Sequence, residues 1–366
     1  MLLLYTSLLI QLSYWLYFFR HLAKAGGACG EKREAGLPPL SVIVCAHNEE
    51  EALAEHIPHW LQQQYSADWE LLIVDDHSTD DTASVCLRQQ AAQGVLRLLA
   101  LEGPKPAGSG KKHALAAGIE KAKYDCLLLT DADCRPASDT WAACMAGPLA
   151  AGRDLVLGYS PFEKRKGLLN AFQRFEGLWT AMQYLSFAER RMAYMGVGRN
   201  LAYTRKLYRE TGGFEAHGDL PYGDDDLFVQ QAVSRGNYAV CLQPESFVWT
   251  VAPPTLKTWL QQKRRHLSAA RKYKFRDQVL LGLFSLSLVL QLGGAYVLLP
   301  FFPLEAGVVL LLRYLFVLPI AARLCRRLSQ ADLWKLWPLL EFLLLFYLLL
   351  FSPVAAGWGR LKKWRV

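Results

Sequence analysis

Asp131 and Asp133 directly follow the apolar run CLLLT at 126–130. In an extended segment the side chains at i and i+2 point the same way, so this spacing sets two hard oxygen ligands near one point at a strand end. That pair suits Mg²⁺ or Mn²⁺ holding a diphosphate. A metal there neutralises charge on a leaving phosphate and acts as a Lewis acid. An Asx turn or a helix cap is the competing reading of the same three residues.

Further carboxylates and cations sit at comparable places. Asp75 and Asp76 end the run WELLIVDD and are followed by His77, Ser78 and Thr79. Ser78 or Asp80 is expected to cap the next helix, and Asp76 is placed to accept hydrogen bonds from a base N–H. GSGKKHALAAGI supplies glycines and two cations, Lys111 and Lys112, ahead of a helix. It is not a P-loop, because Lys105 stands where that motif needs its first glycine and no Ser or Thr follows Lys111. A nucleotide or phosphate contact through Lys111 or Lys112 is expected, against a solvated basic helix start. The triple acid Asp224, Asp225, Asp226 repels itself unless exposed, capping a helix or facing a cation. One of these carboxylates beside a metal-bound donor is suited to act as general base toward an acceptor hydroxyl.

These groups need a scaffold that brings them together. LSVIVCA ending in HNEE, WELLIVDD ending in HSTDDT, and YDCLLLTDAD ending in DADC read as buried strands separated by helical stretches. Repeated strand–helix units predict an α/β domain with a mostly parallel sheet covered on both faces. Ligands in such sheets bind beyond the carboxyl ends of the strands, where all three runs carry polar groups.

The excess of apolar residues, 52% of the 366, lies at the two ends. Residues 1–20 read as a transmembrane helix, since about 20 apolar residues cross a hydrocarbon core of roughly 30 Å. A cleaved signal peptide competes, but no basic stretch precedes the apolar run. Residues 21–38 form a linker, 39–254 the globular domain and 255–277 a basic interfacial helix. Residues 278–358 hold about three transmembrane or re-entrant segments, and 359–366 are a basic tail. Arg20, Lys24 and the run KRRHLSAARKYKFR border the globular domain, which places that domain in the cytosol by the positive-inside rule. A bacterial inner membrane is the expected location. The net charge of +8 clusters beside membrane segments, where anionic headgroups account for it without nucleic acid. The eight cysteines show no paired metal spacing.

Taken in order, SVIVCAHNEEEAL, VDDHSTDDT, GKKHALAAGI, LLLTDADC, VGRNLAYTRKLYRETGGF, GDDDLF and QKRRH resemble family 2 glycosyltransferases of the GT-A fold, over Ser41 to about Ala270. The resemblance implies inverting transfer from a nucleotide-diphosphate sugar, usually a UDP-sugar. It places Ala46, His47, Asn48 and Glu49 in the first nucleotide loop, Asp76 facing the base and Lys111 or Lys112 near the nucleotide. Asp131 and Asp133 match the metal motif. Asp225 matches the catalytic base, with Asp224 one residue away in the same acidic run. Gln262, Arg265 and His266 fall on the motif Gln-x-x-Arg-Trp, with His266 in place of Trp, which departs from processive polymer synthases. The implied acceptor is a hydroxyl, on a lipid-linked saccharide in one reading, for cell-envelope or exopolysaccharide synthesis. A small processive synthase and an inactive nucleotide-sugar sensor or scaffold are the alternatives. The stretch Phe162–Met195 is either an approach for a lipid-borne acceptor or a packing surface.

Overall fold

The computed structural model describes residues 1–26, 36–92, 94–104, 110–217, 225–235 and 237–357. The chain begins with helix α1 (Leu2–Lys24), then β1 (Leu40–Ala46), α2 (Glu50–Leu61), β2 (Trp69–Asp75), α3 (Thr82–Ala92) and β3 (Leu96–Ala100). It continues through α4 (Gly110–Lys121), β4 (Cys126–Asp131), β5 (Cys134–Pro136), α5 (Trp141–Ala150), β6 (Leu155–Leu157), α6 (Leu168–Glu189), β7 (Leu201–Thr204) and α7 (Arg205–Glu210). It ends with α8 (Asp226–Ala232), β8 (Tyr238–Val240), β9 (Val248–Thr250), α9 (Leu256–Ala270), α10 (Phe275–Leu298), α11 (Pro303–Arg327) and α12 (Trp337–Gly357).

Two compact units result. One comprises Ala25–Glu163 and Phe187–Ala252; the other comprises Met1–Lys24, Lys164–Ser186 and the chain from Pro253 onward.

The first unit holds a seven-stranded sheet in the order β3-β2-β1-β4-β7-β6-β8. Strands β3, β2, β1 and β4 run parallel, while β7 is antiparallel to both of its neighbours, β4 and β6. Val42, Val44, Leu71, Ile73 and Leu128 are buried, and their continuous β-rich runs are those of strands covered on both faces. Helix α4 packs so closely that a Cβ on Gly118 would meet Val74 Cγ2 at 2.8 Å and Ile43 Cγ2 at 3.0 Å. Register levels the strand ends. Ala46 lies opposite Asp75 and Cys45 opposite Asp131, so the three polar strand ends meet at one edge. The strand order reverses between β1 and β4, which is where open α/β sheets bind ligands. A small second sheet pairs β5 with β9 antiparallel, Cys134 opposite Thr250.

Among the described residues the second unit contains four helices long and apolar enough to cross a membrane: Leu2–Lys24, Phe275–Leu298, Pro303–Arg327 and Leu333–Leu350. The first runs past the apolar stretch through Arg20 and His21 to Lys24, because backbone hydrogen bonding continues where hydropathy stops. A buried polar network ties these helices together. Arg313 pairs with Glu341, its Nη1 donates to Gln11 Oε1 at 3.2 Å, and Gln11 Nε2 donates to Phe284 O and Ser287 Oγ, both at 2.8 Å. Such groups persist in an apolar bundle only when they satisfy one another.

Lys164–Ser186 belongs to this unit through α6. Trp179 stacks on Phe284 with ring centroids 5.4 Å apart, and Phe175 packs edge-on against Trp337 at 4.9 Å. Arg174, almost fully buried, donates to both carboxylate oxygens of Asp332 at 2.9 and 2.5 Å and to Gln330 Oε1 at 2.7 Å. These bonds hold the Asp332 carboxyl below the usual carboxylate range. The aromatic face of α6 is therefore occupied by packing within its own unit.

Candidate active site

The end of β4 carries the metal-motif residues. One carboxylate oxygen from each of Asp131 and Asp133, together with Cys134 Sγ, lie within 4.8 Å of one another. Asp131 ends β4, while Ala132, which is buried, and Asp133 form the turn before β5, so a turn and not an extended segment brings the two carboxylates together. Asp133 is oriented on both oxygens: the Cys134 thiol donates to Oδ1 at 3.3 Å and Thr250 Oγ1 donates to Oδ2 at 3.4 Å. Burial pushes the Cys134 thiol well above its ordinary value, with the charges of Asp133 and Asp131 adding to the shift. The two carboxylates offer hard oxygen donors, a set that fits Mg²⁺ or Mn²⁺.

Negative charge accumulates around this point. Burial raises the Glu49 carboxyl above its ordinary value, and Asp133, Asp131 and Asp80 raise it further. Glu49 sits at the start of α2, so the ends of β1 and β4 share one field. A dication held by Asp131 and Asp133 offsets that field. Lys111, in the first turn of α4, forms an ion pair with Asp131, whereas Lys112 is buried.

The first nucleotide loop is laced to the second. Asn48 adopts φ 57°, a left-handed conformation that Asn tolerates. Its Oδ1 accepts from Thr79 N at 2.8 Å, and its own N–H donates to Ser78 Oγ at 2.9 Å. Glu49 N–H donates to Thr82 Oγ1 at 2.8 Å. His47 Nδ1 donates to the Asp76 carbonyl at 2.7 Å, and the Asp76 N–H donates to Ala46 O at 2.8 Å. Asp75 Oδ1 accepts from Ser78 N at 3.0 Å, and Asp80 Oδ1 accepts from Thr82 N at 3.0 Å. These are turn and cap contacts, and Asp80 performs the capping expected of Ser78 or Asp80. Asp76 is buried, with Oδ1 3.0 Å from His77 Nδ1.

Asp225 immediately precedes α8. Its Oδ1 accepts from Asp226 N at 2.8 Å and its Oδ2 from Gly198 N at 2.9 Å. Cys45, Lys111, Thr130, Gly198 and Asp225 line one pocket, which joins the ends of β1 and β4 to the turn before β7. Asp224 lies outside the described residues. Gln262, Arg265 and His266 lie on α9, in the unit with the apolar helices.

Sequence reasoning gives no role to three residues in the segment 198–200. Gly198 approaches Asp225. Asn200 is fully buried, accepting from Trp141 Nε1 at 3.0 Å and donating to Tyr159 O and Ser246 O at 2.8 Å each. Arg199 lies with its guanidinium over the Phe162 ring, 5.4 Å from the centroid. A charged and an amide residue together, ahead of the apolar run LAY, are the available signal.

A family model described as glycosyltransferase-like family 2 matches residues 38–269. The chain belongs to glycosyltransferase family 2. Among curated relatives, this family 2 chain is 24% identical over 244 residues to the probable glycosyltransferase YdaM of Bacillus subtilis, covering 63% of this chain and 54% of the relative. It is 22% identical over 284 residues to the poly-β-1,6-N-acetyl-D-glucosamine synthase of Staphylococcus aureus, covering 72% of this chain and 62% of that one. This glycosyltransferase thus spans between half and two-thirds of the length of these curated relatives. Among solved structures it is similar to the mannosyltransferase PcManGT of Pyrobaculum calidifontis in complex with GDP-Man and Mn²⁺. There the TM-score is 0.55 at 20% identity, covering 92% of this chain and 97% of the other. The fold is GT-A.

Proposed function

We propose that this family 2 glycosyltransferase moves a single sugar, with inversion, from a nucleotide-diphosphate sugar to an acceptor hydroxyl at the cytosolic face of a bacterial inner membrane. A UDP-sugar is the proposed donor and a lipid-linked saccharide the proposed acceptor. The observation that carries this reading is the pocket lined by both Lys111 and Asp225, with Asp131, the ion-pair partner of Lys111, and Asp133 at its strand end.

Asp131 and Asp133 would hold Mg²⁺ or Mn²⁺, which supplies charge neutralisation for the departing diphosphate. The protein's own groups do the rest. The loop Ala46–Glu49, braced by Ser78, Thr79 and Thr82, and the neighbouring Asp76 cradle the nucleoside. Lys111, adjacent to Asp131, adds a cation where the phosphates lie. Asp225, whose carboxylate is oriented by two backbone amides, takes the proton of the acceptor hydroxyl. That oxygen bonds to the anomeric carbon as the bond from that carbon to the phosphate oxygen breaks. Gln262, Arg265 and His266 are proposed to complete binding of the donor. The globular domain 39–254, the helix at 255–277 and the segments at 1–20 and 278–358 remain the proposed working divisions, oriented by the Lys and Arg flanks.

Similarity to poly-N-acetylglucosamine synthases favours a second reading, a small processive synthase. His266 in the place of the motif's Trp favours single transfer. Donor consumption by the purified protein in nanodiscs, across UDP- and GDP-sugars with Mn²⁺ or Mg²⁺, tests the proposal. Metal-dependent nucleotide release from one donor, abolished by Asp133→Asn and Asp225→Asn, supports it. A wild type that binds a donor and turns over none, with membrane lipid extract as acceptor, replaces it with the sensor reading. Product length separates single transfer from polymer synthesis.

A further inference from the structure

We propose that Arg199 binds a phosphate oxygen of the donor's diphosphate, as a second cation beside the metal carboxylates and distinct from Lys111. The inference rests on the transferase reading. Arg199 lies in the short turn Gly198–Asn200. The residue before it donates its amide to Asp225 and lines the pocket. The residue after it is locked by three hydrogen bonds. The backbone of Arg199 is therefore fixed between two anchored neighbours.

Its side chain is only partly exposed, and Nε is buried without a hydrogen-bond partner. Among the described residues the guanidinium has neither a hydrogen bond nor an ion pair, and it rests on the Phe162 ring. An aromatic face attracts the charge but offers no lone pair to the N–H groups. A buried guanidinium N–H left without an acceptor is unfavourable, and five donors in a planar fork match phosphate oxygens bidentately. Phe162, on which the guanidinium rests, bridges to Thr250, whose hydroxyl donates to Asp133 Oδ2 at 3.4 Å, so Arg199 lies one strand pair from the metal carboxylate. Lys111, by contrast, is already paired with Asp131. The anion common to the Asp131–Asp133 metal and to Arg199 is the diphosphate of a nucleotide sugar. Unlike a neutral sugar or base, it would give the guanidinium the oxygens it lacks.

The test uses the full chain in detergent with Mn²⁺, comparing UDP with uridine and GDP with guanosine by calorimetry. In Arg199→Gln the nucleoside diphosphate that the wild type binds should weaken roughly 10- to 100-fold, the range expected for a lost charge-assisted bond. The matching nucleoside should bind as before. Unchanged diphosphate affinity overturns the assignment, and it does so equally if the variant instead raises the KM of a phosphate-bearing acceptor. Arg199→Lys, which keeps the charge and loses the fork, is measured in parallel in case the Gln variant does not fold. A partial loss of diphosphate affinity supports the assignment, and wild-type affinity overturns it. If the wild type binds neither nucleoside diphosphate, the transferase reading itself fails. If it binds one and both variants match it, only Arg199 is misassigned.

Discussion

The backbone N–H of Gly198 donates to Asp225 Oδ2 at 2.9 Å across 27 residues of sequence. A Cβ at position 198 would sit 3.3 Å from Asp225 Cβ and 3.5 Å from that same oxygen. The glycine therefore sets how near the turn comes to the proposed base. In Gly198→Ala one of the two must give by a few tenths of an ångström. Small misplacements of a catalytic group cost as much as about 100-fold in rate, so we expect kcat to fall roughly 10- to 100-fold with little change in nucleotide affinity. Steady-state kinetics beside nucleotide titration checks this. An equal loss in both quantities would mean that the turn itself had moved.

Glu49 gives a prediction with a definite sign. Its carboxyl is raised first by burial and then by Asp133 and Asp131, so the folded protein disfavours the ionised form. A raised carboxyl holds its proton more tightly in the fold than in the unfolded chain. The cost is therefore present above the folded pKa and vanishes as pH falls through it. Glu49→Gln should melt higher than wild type at neutral pH without added metal, and the two should converge on acidification into the carboxylate range. Added Mn²⁺ should narrow the gap at neutral pH, because a cation on Asp131 and Asp133 removes the repulsion. Melting curves across pH, with and without Mn²⁺, provide the measurement.

Two helical glycines separate close packing from propensity. A methyl group at Gly118 would meet Val74 Cγ2 at 2.8 Å, a distance no real Cβ adopts without movement, and Ile43 Cγ2 tightly at 3.0 Å, whereas one added at Gly147 in α5 would meet nothing within 4 Å. Gly118→Ala should destabilise by about 1–3 kcal/mol, as overpacking does. Gly147→Ala should be neutral or stabilising by up to about 1 kcal/mol through helix propensity. Thermal melts of both variants in one detergent check the pair.

The sheet edge is plain in the sequence, because continuous β-rich runs ending in HNEE, DDHS and DADC state both the strand and where it stops. The helices long and apolar enough to cross a membrane are legible for the same reason: length and apolar content are local properties. Side-chain partners are not local. Asp225 is legible as an acid before a helix, and it caps α8; its second oxygen is held by Gly198, which no window around 225 contains. Lys111 and Lys112 are equivalent in sequence, and only the azimuth of α4 on the sheet sends Lys111 to Asp131 and buries Lys112. The aromatic face of α6 is compatible with a lipid approach in sequence, and the packing of Trp179 on Phe284 and of Phe175 on Trp337 decides against it. Arg199 gives only a weak signal in sequence, a charge beside an amide ahead of LAY, because its significance is the lack of an acceptor for its Nε among the described residues, which is a property of three dimensions.

Gln11, Arg313 and Glu341 show the same principle in the apolar helices, and they yield a further test. Arg313 and Glu341 are fully buried and paired, and Arg313 also donates to Gln11. Removing one charge leaves the other uncompensated in an apolar surrounding, whereas replacing both by apolar residues of similar volume removes the desolvation cost as well as the attraction. Arg313→Met alone should destabilise by about 3–5 kcal/mol. Adding Glu341→Leu should recover most of that loss, since Gln11 keeps its bonds to Phe284 O and Ser287 Oγ. Melting of the single and double variants in detergent gives the coupling. Additive losses would show that the pair contributes nothing beyond packing, while recovery in the double variant would show that the two charges are tolerated there only because each answers the other.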